Sequence, residues 1–414
     1  MDYKKLLQLI LDIAEEMIVA GAEVNRVENS IERIAKAYGC DSSRTNAFII
    51  TSNIQVTIVS PDEEIITQIR RIIRSDVNYD RLDYLNNLSR KLCKEKPSVE
   101  EGFRMLNEIL SRPKHSVFID ALGQFLIAGG FAVFFGGTIL DGIASGFIGV
   151  LICFITRKLS SFNANSLARI FVTSIAASVF SIILASFGLH VDKIMIGGIM
   201  LLIPGIALTN SLRDMLIGDL VTGLLKNINS LMIAFAISTG FALPLFIAGG
   251  NFVLLHSDYT QNIEIVQIIA AFIGTLGFTI FFNMKGKQIV YASIFGALTW
   301  LIYLLCFDFL EIGVFGSNLI AAIFVGAVAE ILARINRAPA TIFLTASAVP
   351  LIPGGALYYA TFGVVNKDLE QFTSYGFTCL SVAGAIAIGF MIVAIIQKYI
   401  FIHLHNIKEK ELNV

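Results

Sequence analysis

From Ser116 onward the chain is a succession of long apolar runs separated by short polar gaps, and ten of these runs approach the roughly 20 mostly apolar residues that an α-helix needs to cross a bilayer. Their approximate limits are 116–135, 139–156, 167–188, 194–210, 225–247, 263–282, 289–306, 317–334, 340–360 and 372–397. A chain that is 55% hydrophobic and 15% charged over 414 residues has too little polar surface to coat a soluble globule. Lipid is the solvent that fits, and within lipid the backbone must satisfy its own hydrogen bonds, which favours helices. The expected fold class is an all-α polytopic membrane protein with ten transmembrane helices in two inverted five-helix repeats. A small N-terminal α+β domain precedes them.

That domain is visible in the charge distribution. Residues 1–115 hold 17 of the 31 Lys and Arg and 18 of the 32 Asp and Glu. Leu6, Leu7, Ile10, Ile13, Ala14 and Met17 recur at spacings of three and four, the mark of one buried helical face. A second helix is expected from about Val24 to Ala37, ending at Gly39, and two strands follow at 45–51 and 54–59, with Ser52 and Asn53 turning between them. Residues 64–73 suit either a strand or a helix, and 79–95 and 99–110 read as helices. The start of the chain lacks the basic segment, apolar run and cleavage site of a secretory signal, so this domain is expected in the cytoplasm.

Lys and Arg in short loops are retained on the cytoplasmic side of a membrane. Arg112 with Lys114, Arg157 with Lys158, Arg213 with Lys226, Lys285 with Lys287, Arg334 with Arg337, and Lys398 with Lys408 and Lys410 fall on one face. The loops 136–138, 249–262 and 307–316 contain no Lys or Arg, and Lys193 and Lys367 are the exceptions on that side. Both termini are thus expected in the cytoplasm of a cell whose inner membrane holds the chain.

An internal repeat runs through the apolar part. Leu202-Ile-Pro204-Gly205-Ile-Ala-Leu208 returns as Leu351-Ile-Pro353-Gly354-Gly355-Ala-Leu357, 149 residues later, and Asp219-Leu220 returns as Asp368-Leu369 at the same offset. Gly130-Phe-Ala-Val-Phe-Phe135 returns as Gly277-Phe-Thr-Ile-Phe-Phe282, 147 residues later. Each copy holds five spans, and an odd number makes the second copy enter from the opposite face, as in many secondary transporters. The expected divisions are a domain at 1–115, a first repeat at 116–250, and a second repeat with a cytoplasmic tail at 251–414.

Pro204 and Pro353 fall inside spans four and nine, where proline removes a backbone donor and frees carbonyl groups at membrane depth. A kink that serves packing alone is the bland alternative. Two Pro-Gly breaks at matching repeat positions favour a binding site, whose helix ends suit the charged groups of a zwitterion. Thr209, Asn210, Ser211, Arg213, Asp214 and Asp219 follow the first break, either as a solvated loop or as substrate contacts and gate. Asp120, Asp141 and Glu330 are proton-coupling candidates if they face the interior, where a desolvated carboxylate gains a proton more readily. Against that, Asp120 and Asp141 sit near span starts, and Glu330 has Arg334 one turn on. Gly142 and Gly146 read as close helix packing.

Several function classes lose support. A net charge of -1 gives no cationic surface for nucleic acid. The five cysteines are scattered without a Cys-x-x-Cys pair and read as reduced packing residues; the histidines at 115, 190, 256, 403 and 405 lie at helix ends, so neither a metal nor a cofactor is expected. Gly21-Ala-Glu23-Val-Asn-Arg26-Val-Glu28 places acid, base and acid at one helix start, where local ion pairing explains them as well as a site does. A membrane-anchored hydrolase with its site in the N-terminal domain is a weaker reading, and a sensor or scaffold weaker still.

Three stretches together resemble the threonine/serine exporter family: 201–223, the segment Gly21 to Glu28, and Arg337-Ala-Pro-Ala with Val-Pro-Leu-Ile-Pro-Gly354. The likeness covers essentially the whole chain in a form that fuses both membrane halves. It implies export of threonine and serine driven by the proton-motive force, with related two-component members associated with succinate, so a dicarboxylate is the alternative cargo. By motif position it singles out Pro204, Gly205, Asn210, Arg213, Asp214, Gly218, Asp219 and Gly223, with Pro353 and Gly354 as partners in the second half. The implied partners are the small-molecule cargo, protons and the lipid bilayer, with assembly into a homo-oligomer left open.

Overall fold

The computed structural model describes residues 1–41, 43–50, 52–72, 74, 76–162, 165–248 and 263–412, which fall into two compact units. The loop 249–262, including His256, lies outside the described residues, as do the side chains of His403 and His405. The first unit comprises residues 1–116 together with 282–288 and 332–343.

In that first unit α1 spans Tyr3–Val19, and Asp2 caps it by accepting the N–H groups of Lys4 and Lys5. The six apolar residues that the spacing singled out are all buried on its inner face. Helix α2 (Val24–Ala37) ends before Gly39, whose φ of +91° is the left-handed turn expected there. Strands β1 (Asn46–Ile50), β2 (Asn53–Val59) and β3 (Ile65–Arg71) form an antiparallel sheet in the order β1-β2-β3, which settles residues 65–71 as strand. Ile54, Val56 and Ile58 of the central strand are buried, as the period of two requires. Helices α3 (Tyr79–Glu95) and α4 (Val99–Leu110) complete the unit, capped by Asn78 and Ser98.

The second unit is helical. It contains α5 (Val117–Phe134), α6 (Ile139–Ser161), α7 (Ser166–Ala185), α8 (Val191–Ile199), α9 (Gly205–Ile217), α10 (Leu220–Ile247), α11 (Glu264–Phe281), α12 (Lys287–Leu304), α13 (Gly313–Asn336), α14 (Ala340–Ser347), α15 (Gly354–Asn366) and α16 (Leu369–Leu412); the ends of α13 and α14 nearest each other, 332–343, belong to the first unit. Among the described residues eight helices are long and apolar enough to cross a membrane, or nine spans if the bent pair 340–347 and 349–366 counts as one. This is a multi-pass membrane protein.

Among the described residues the helices do not form ten unbroken spans. Expected span four is split: α8 has 9 residues, about 13 Å at the helical rise, and ends before Pro204. Helix α9 then runs to Ile217, beyond the expected limit of 210. Expected span nine bends by 43° between α14 and the segment 349–366. Prolines stand at both: Pro204 opens α9, while Pro350 follows the bend and Pro353 opens α15, and none of them can donate to the preceding turn.

Helices α5 and α11 pack antiparallel through glycines. A Cβ on Gly130 would stand 2.7 Å from the amide nitrogen of Gly274 and 3.1 Å from the carbonyl oxygen of Ala270. A Cβ on Gly277 would stand 2.7 Å from the amide nitrogen of Ile127 and 2.6 Å from the carbonyl oxygen of Gly123. At the 147-residue offset these contacts exchange: 130 corresponds to 277, 127 to 274, and 123 to 270. Positive φ angles recur in the same way, at Gly136 and Asn283, Gly188 and Arg337, and Gly218 and Lys367.

Candidate functional site

The two Pro-Gly breaks pack against each other. Pro204 stands at the N-cap of α9 with φ -85° and ψ 42°, and Pro353 at the N-cap of α15 with φ -77° and ψ 48°. Gly205 is buried, and a Cβ on it would lie 2.2 Å from Cγ2 of Ile352. Gly354 faces the other way round, toward Cγ2 of Ile203 at 2.8 Å and Sδ of Met200 at 3.1 Å. Since 205 corresponds to 354 and 203 to 352 at the 149-residue offset, this contact too is reciprocal. Gly355 has more room, its nearest neighbour being Cδ1 of Ile196 at 3.4 Å.

Below the breaks, α9 packs on α10 and α16, while α15 packs on α16 and α10. Leu208, Ala234, Leu357 and Cys379 form the apolar cluster at the centre of these four helices. The first turns of α9 and α15 thus begin beside the opposite break, with amide groups that have no partner one turn earlier. Such helix starts favour a carboxylate, and the ends of the helices that precede them favour an ammonium group.

The residues after the first break form helix α9 rather than a loop. Asn210 and Arg213 are half-buried on it, and Asp214 accepts from Nζ of Lys226 at 2.7 Å, joining α9 to α10. Gly218 closes α9 with φ +113°, and the N–H of Asp219 donates to the carbonyl oxygen of Asp214. The same closure appears in the second half, where the N–H of Asp368 donates to the carbonyl oxygen of Gly363. Asp219 itself is exposed at the start of α10, and Gly223 is buried against the backbone of Ser211 and Met215.

The three carboxylates proposed for proton coupling have partners of their own. Asp120 on α5 pairs with Arg157 at the end of α6. Glu330 on α13 accepts from Nε2 of Gln397 on α16. Asp141 is fully buried and closes a capping box with Thr138 at the start of α6. It also meets His190, whose backbone N–H and ring Nδ1 each lie 2.9 Å from its carboxylate. His190 immediately precedes α8, the short helix whose far end leads through residues 200–203 to the first break at Pro204. Among the described residues no group of three or more His, Cys, Asp or Glu side chains is placed to hold a metal ion.

In the first unit the segment Gly21–Glu28 meets the stretch between α13 and α14. Thr341 Oγ1 donates to Glu23 at 3.1 Å, and Nη1 of Arg90 donates to the carbonyl oxygen of Arg337. The turn at 282–288 is held in the same unit: Asn283 donates to Asn78, Lys285 pairs with Asp80 at 3.2 Å, and Gln288 donates to Asp83. Burial pushes the Asp83 carboxyl above its ordinary range, against the pull of that Gln288 bond.

Sequence reasoning missed His190, Lys226, Ile203 and Ile352. The two isoleucines were legible in principle, since both immediately precede the repeated prolines. His190 and Lys226 meet their partners only through tertiary contacts.

Comparison with known proteins gives two family matches and two named relatives. A family model describing threonine/serine exporters matches residues 8–248, and another, "Threonine/Serine exporter, ThrE", matches residues 267–396. A protein of Mycobacterium tuberculosis named "Probable threonine/serine exporter" is 24% identical over 406 residues, covering 93% of this chain and 76% of its own length. A "Threonine/serine exporter" of Corynebacterium glutamicum is 23% identical over 397 residues, covering 92% of this chain and 79% of its own. No solved structure matches.

Proposed function

The chain belongs to the threonine/serine exporter family, and from that premise we propose that it exports threonine and serine across the inner membrane, coupled to the proton-motive force. The observation that carries the reading is the reciprocal seating of Gly205 on Ile352 and of Gly354 on Ile203. A kink made for packing alone has no need of a duplicated partner. Two broken helices facing each other offer two sets of helix ends to one zwitterion.

Inverted repeats are supported by the antiparallel packing of α5 and α11 and by the exchange of their glycine contacts at one offset. A two-fold relation between halves produces such exchanges. The bend of 43° at α14 and α15 favours a broken span, because a re-entrant loop must nearly reverse its direction. Counting both broken elements as spans gives ten crossings, five in each of 116–250 and 251–414, with residues 1–115 as a separate domain. An even number puts both termini on one side. The basic stretches at 282–288 and 332–343 belong to the same unit as residues 1–116, which supports assigning that side to the cytoplasm.

In this reading Pro204, Gly205, Pro353, Gly354 and Gly355 form the substrate site. Asn210, Arg213, Asp214 and Asp219 serve as the gate below it. Of the carboxylates, Asp141 is the first choice for carrying the proton, because His190 beside it supplies a second titratable group. Asp120 and Glu330 rank behind it.

The test is counterflow by the full-length protein in proteoliposomes, with labelled threonine, serine and succinate and an imposed pH gradient. Gradient-stimulated exchange of threonine and serine is the expected result. Absence of exchange for both overturns the reading, and exchange of succinate alone replaces the cargo.

A further inference from the structure

Tyr358 lies one helical turn beyond Gly354 on α15, so the two share a face, the face that Gly354 turns toward the first break. Its side chain is 2% exposed and lies among Ile194, Met195, Ile199, Phe241 and Phe362. The rings of Phe362 and Phe241 stand 5.4 and 6.2 Å from its own. The phenol oxygen finds no hydrogen-bond partner among the described residues. A buried hydroxyl without a partner is costly, more so at membrane depth, where water does not compete for it.

The hydroxyl of Thr209 is in the same condition, buried and without a partner among the described residues. At the 149-residue offset Thr209 is the counterpart of Tyr358, and it shares a face of α9 with Gly205. Thr173, Ser174 and Thr275 also carry unpaired buried hydroxyls. Those can rotate back to a carbonyl one turn earlier in their own helices. So can Thr209, whereas a phenol at the end of an aromatic ring cannot reach its own backbone. Tyr358 is therefore the group that needs an outside partner.

We infer that the Tyr358 hydroxyl hydrogen-bonds the side-chain hydroxyl of the transported amino acid and so selects hydroxy amino acids over their deoxy analogues. This rests on the proposed transport function and names what that site recognises. The charged ends of the cargo are better served by the helix termini at the breaks. Surrounded by aliphatic and aromatic side chains, Tyr358 suits a neutral hydroxyl that carries a methyl group. Hydroxyl recognition discriminates strongly because the analogue that lacks the group leaves the phenol unpaired. Thr209 lines the matching face of the first half.

The experiment compares wild type and Tyr358→Phe, both full-length in proteoliposomes, for half-saturation by threonine and by 2-aminobutyrate, which is threonine without its hydroxyl. Wild type is expected to prefer threonine by roughly ten-fold or more, the discrimination that one well-made hydrogen bond supplies. Tyr358→Phe is expected to erase that preference by weakening threonine while 2-aminobutyrate keeps its wild-type rate, which also reports an intact fold. An unchanged preference in Tyr358→Phe overturns the inference and leaves the transport reading standing. Equal loss of both solutes overturns it as well, by assigning Tyr358 a structural role. If wild type carries neither solute, the transport reading falls and this one with it.

Discussion

Adding one methyl group at Gly205 tests whether the two breaks are seated on each other as described. In Gly205→Ala the new Cβ would be 2.2 Å from Cγ2 of Ile352, against the 3.5 to 4.0 Å at which carbon atoms rest. The shortfall is more than 1 Å, and Cγ2 belongs to a β-branched side chain with little rotational freedom. Overpacking of this kind costs on the order of 1–3 kcal/mol. Gly354→Ala meets Cγ2 of Ile203 at 2.8 Å and the yielding thioether of Met200 at 3.1 Å, a smaller shortfall than at Gly205, so its cost falls toward the lower end. Gly355→Ala finds its first neighbour at 3.4 Å and should cost almost nothing. The expected order of thermal midpoints in detergent is therefore Gly205→Ala lowest, Gly354→Ala next, and Gly355→Ala near wild type, with transport rates in the same order. Pairing Gly205→Ala with Ile352→Ala removes the obstructing methyl and should recover part of the loss. A Gly205→Ala protein as stable and active as Gly355→Ala would refute the reciprocal seating.

Three further outcomes follow from other contacts. Gly130→Leu should force α5 and α11 apart, because the new side chain meets backbone rather than a movable group; thermal scans and yield of folded protein would register a severe loss, and wild-type stability would contradict the glycine contact. Glu16, 5% exposed, pairs with the exposed Arg74 and the largely buried Arg81, so Glu16→Ala strands the Arg81 charge alone, a cost of about 3 kcal/mol, the lower end for a broken buried pair, that denaturant unfolding of the full chain should detect. For Asp83 the folded state holds the carboxyl above its ordinary pKa through burial, so its contribution to stability is present below the unfolded pKa and lost as pH rises through the folded one. Asp83→Asn should accordingly flatten the fall in thermal midpoint as pH rises above the ordinary Asp pKa of about 4; a profile unchanged from wild type would count against the assignment.

Much of this architecture is written locally in the chain. Apolar run length marks the membrane helices, and the spacing of Leu6, Leu7, Ile10, Ile13, Ala14 and Met17 marks the inner face of α1. Pro204 and Pro353 mark the breaks because a missing N–H acts within a single turn. Hydropathy by itself shows span four as one segment, because it averages across the break that Pro204 imposes. Residues 64–73 stayed undecided because an edge strand with one wet face lacks a strong period, and pairing with β2 fixed them as strand.

What the sequence determined by itself is thus which segments are apolar enough to cross a membrane, the charged N-terminal region before them, and the motifs that recur at a nearly constant offset. The tertiary structure alone decided which surfaces meet: Gly205 on Ile352, Asp141 under His190, Glu23 against Thr341, and Tyr358 sealed among apolar side chains. Hydropathy and backbone chemistry act over a few neighbouring residues and can be read along a chain. Partners far apart along the chain are chosen by how whole helices pack, and no local pattern encodes that choice.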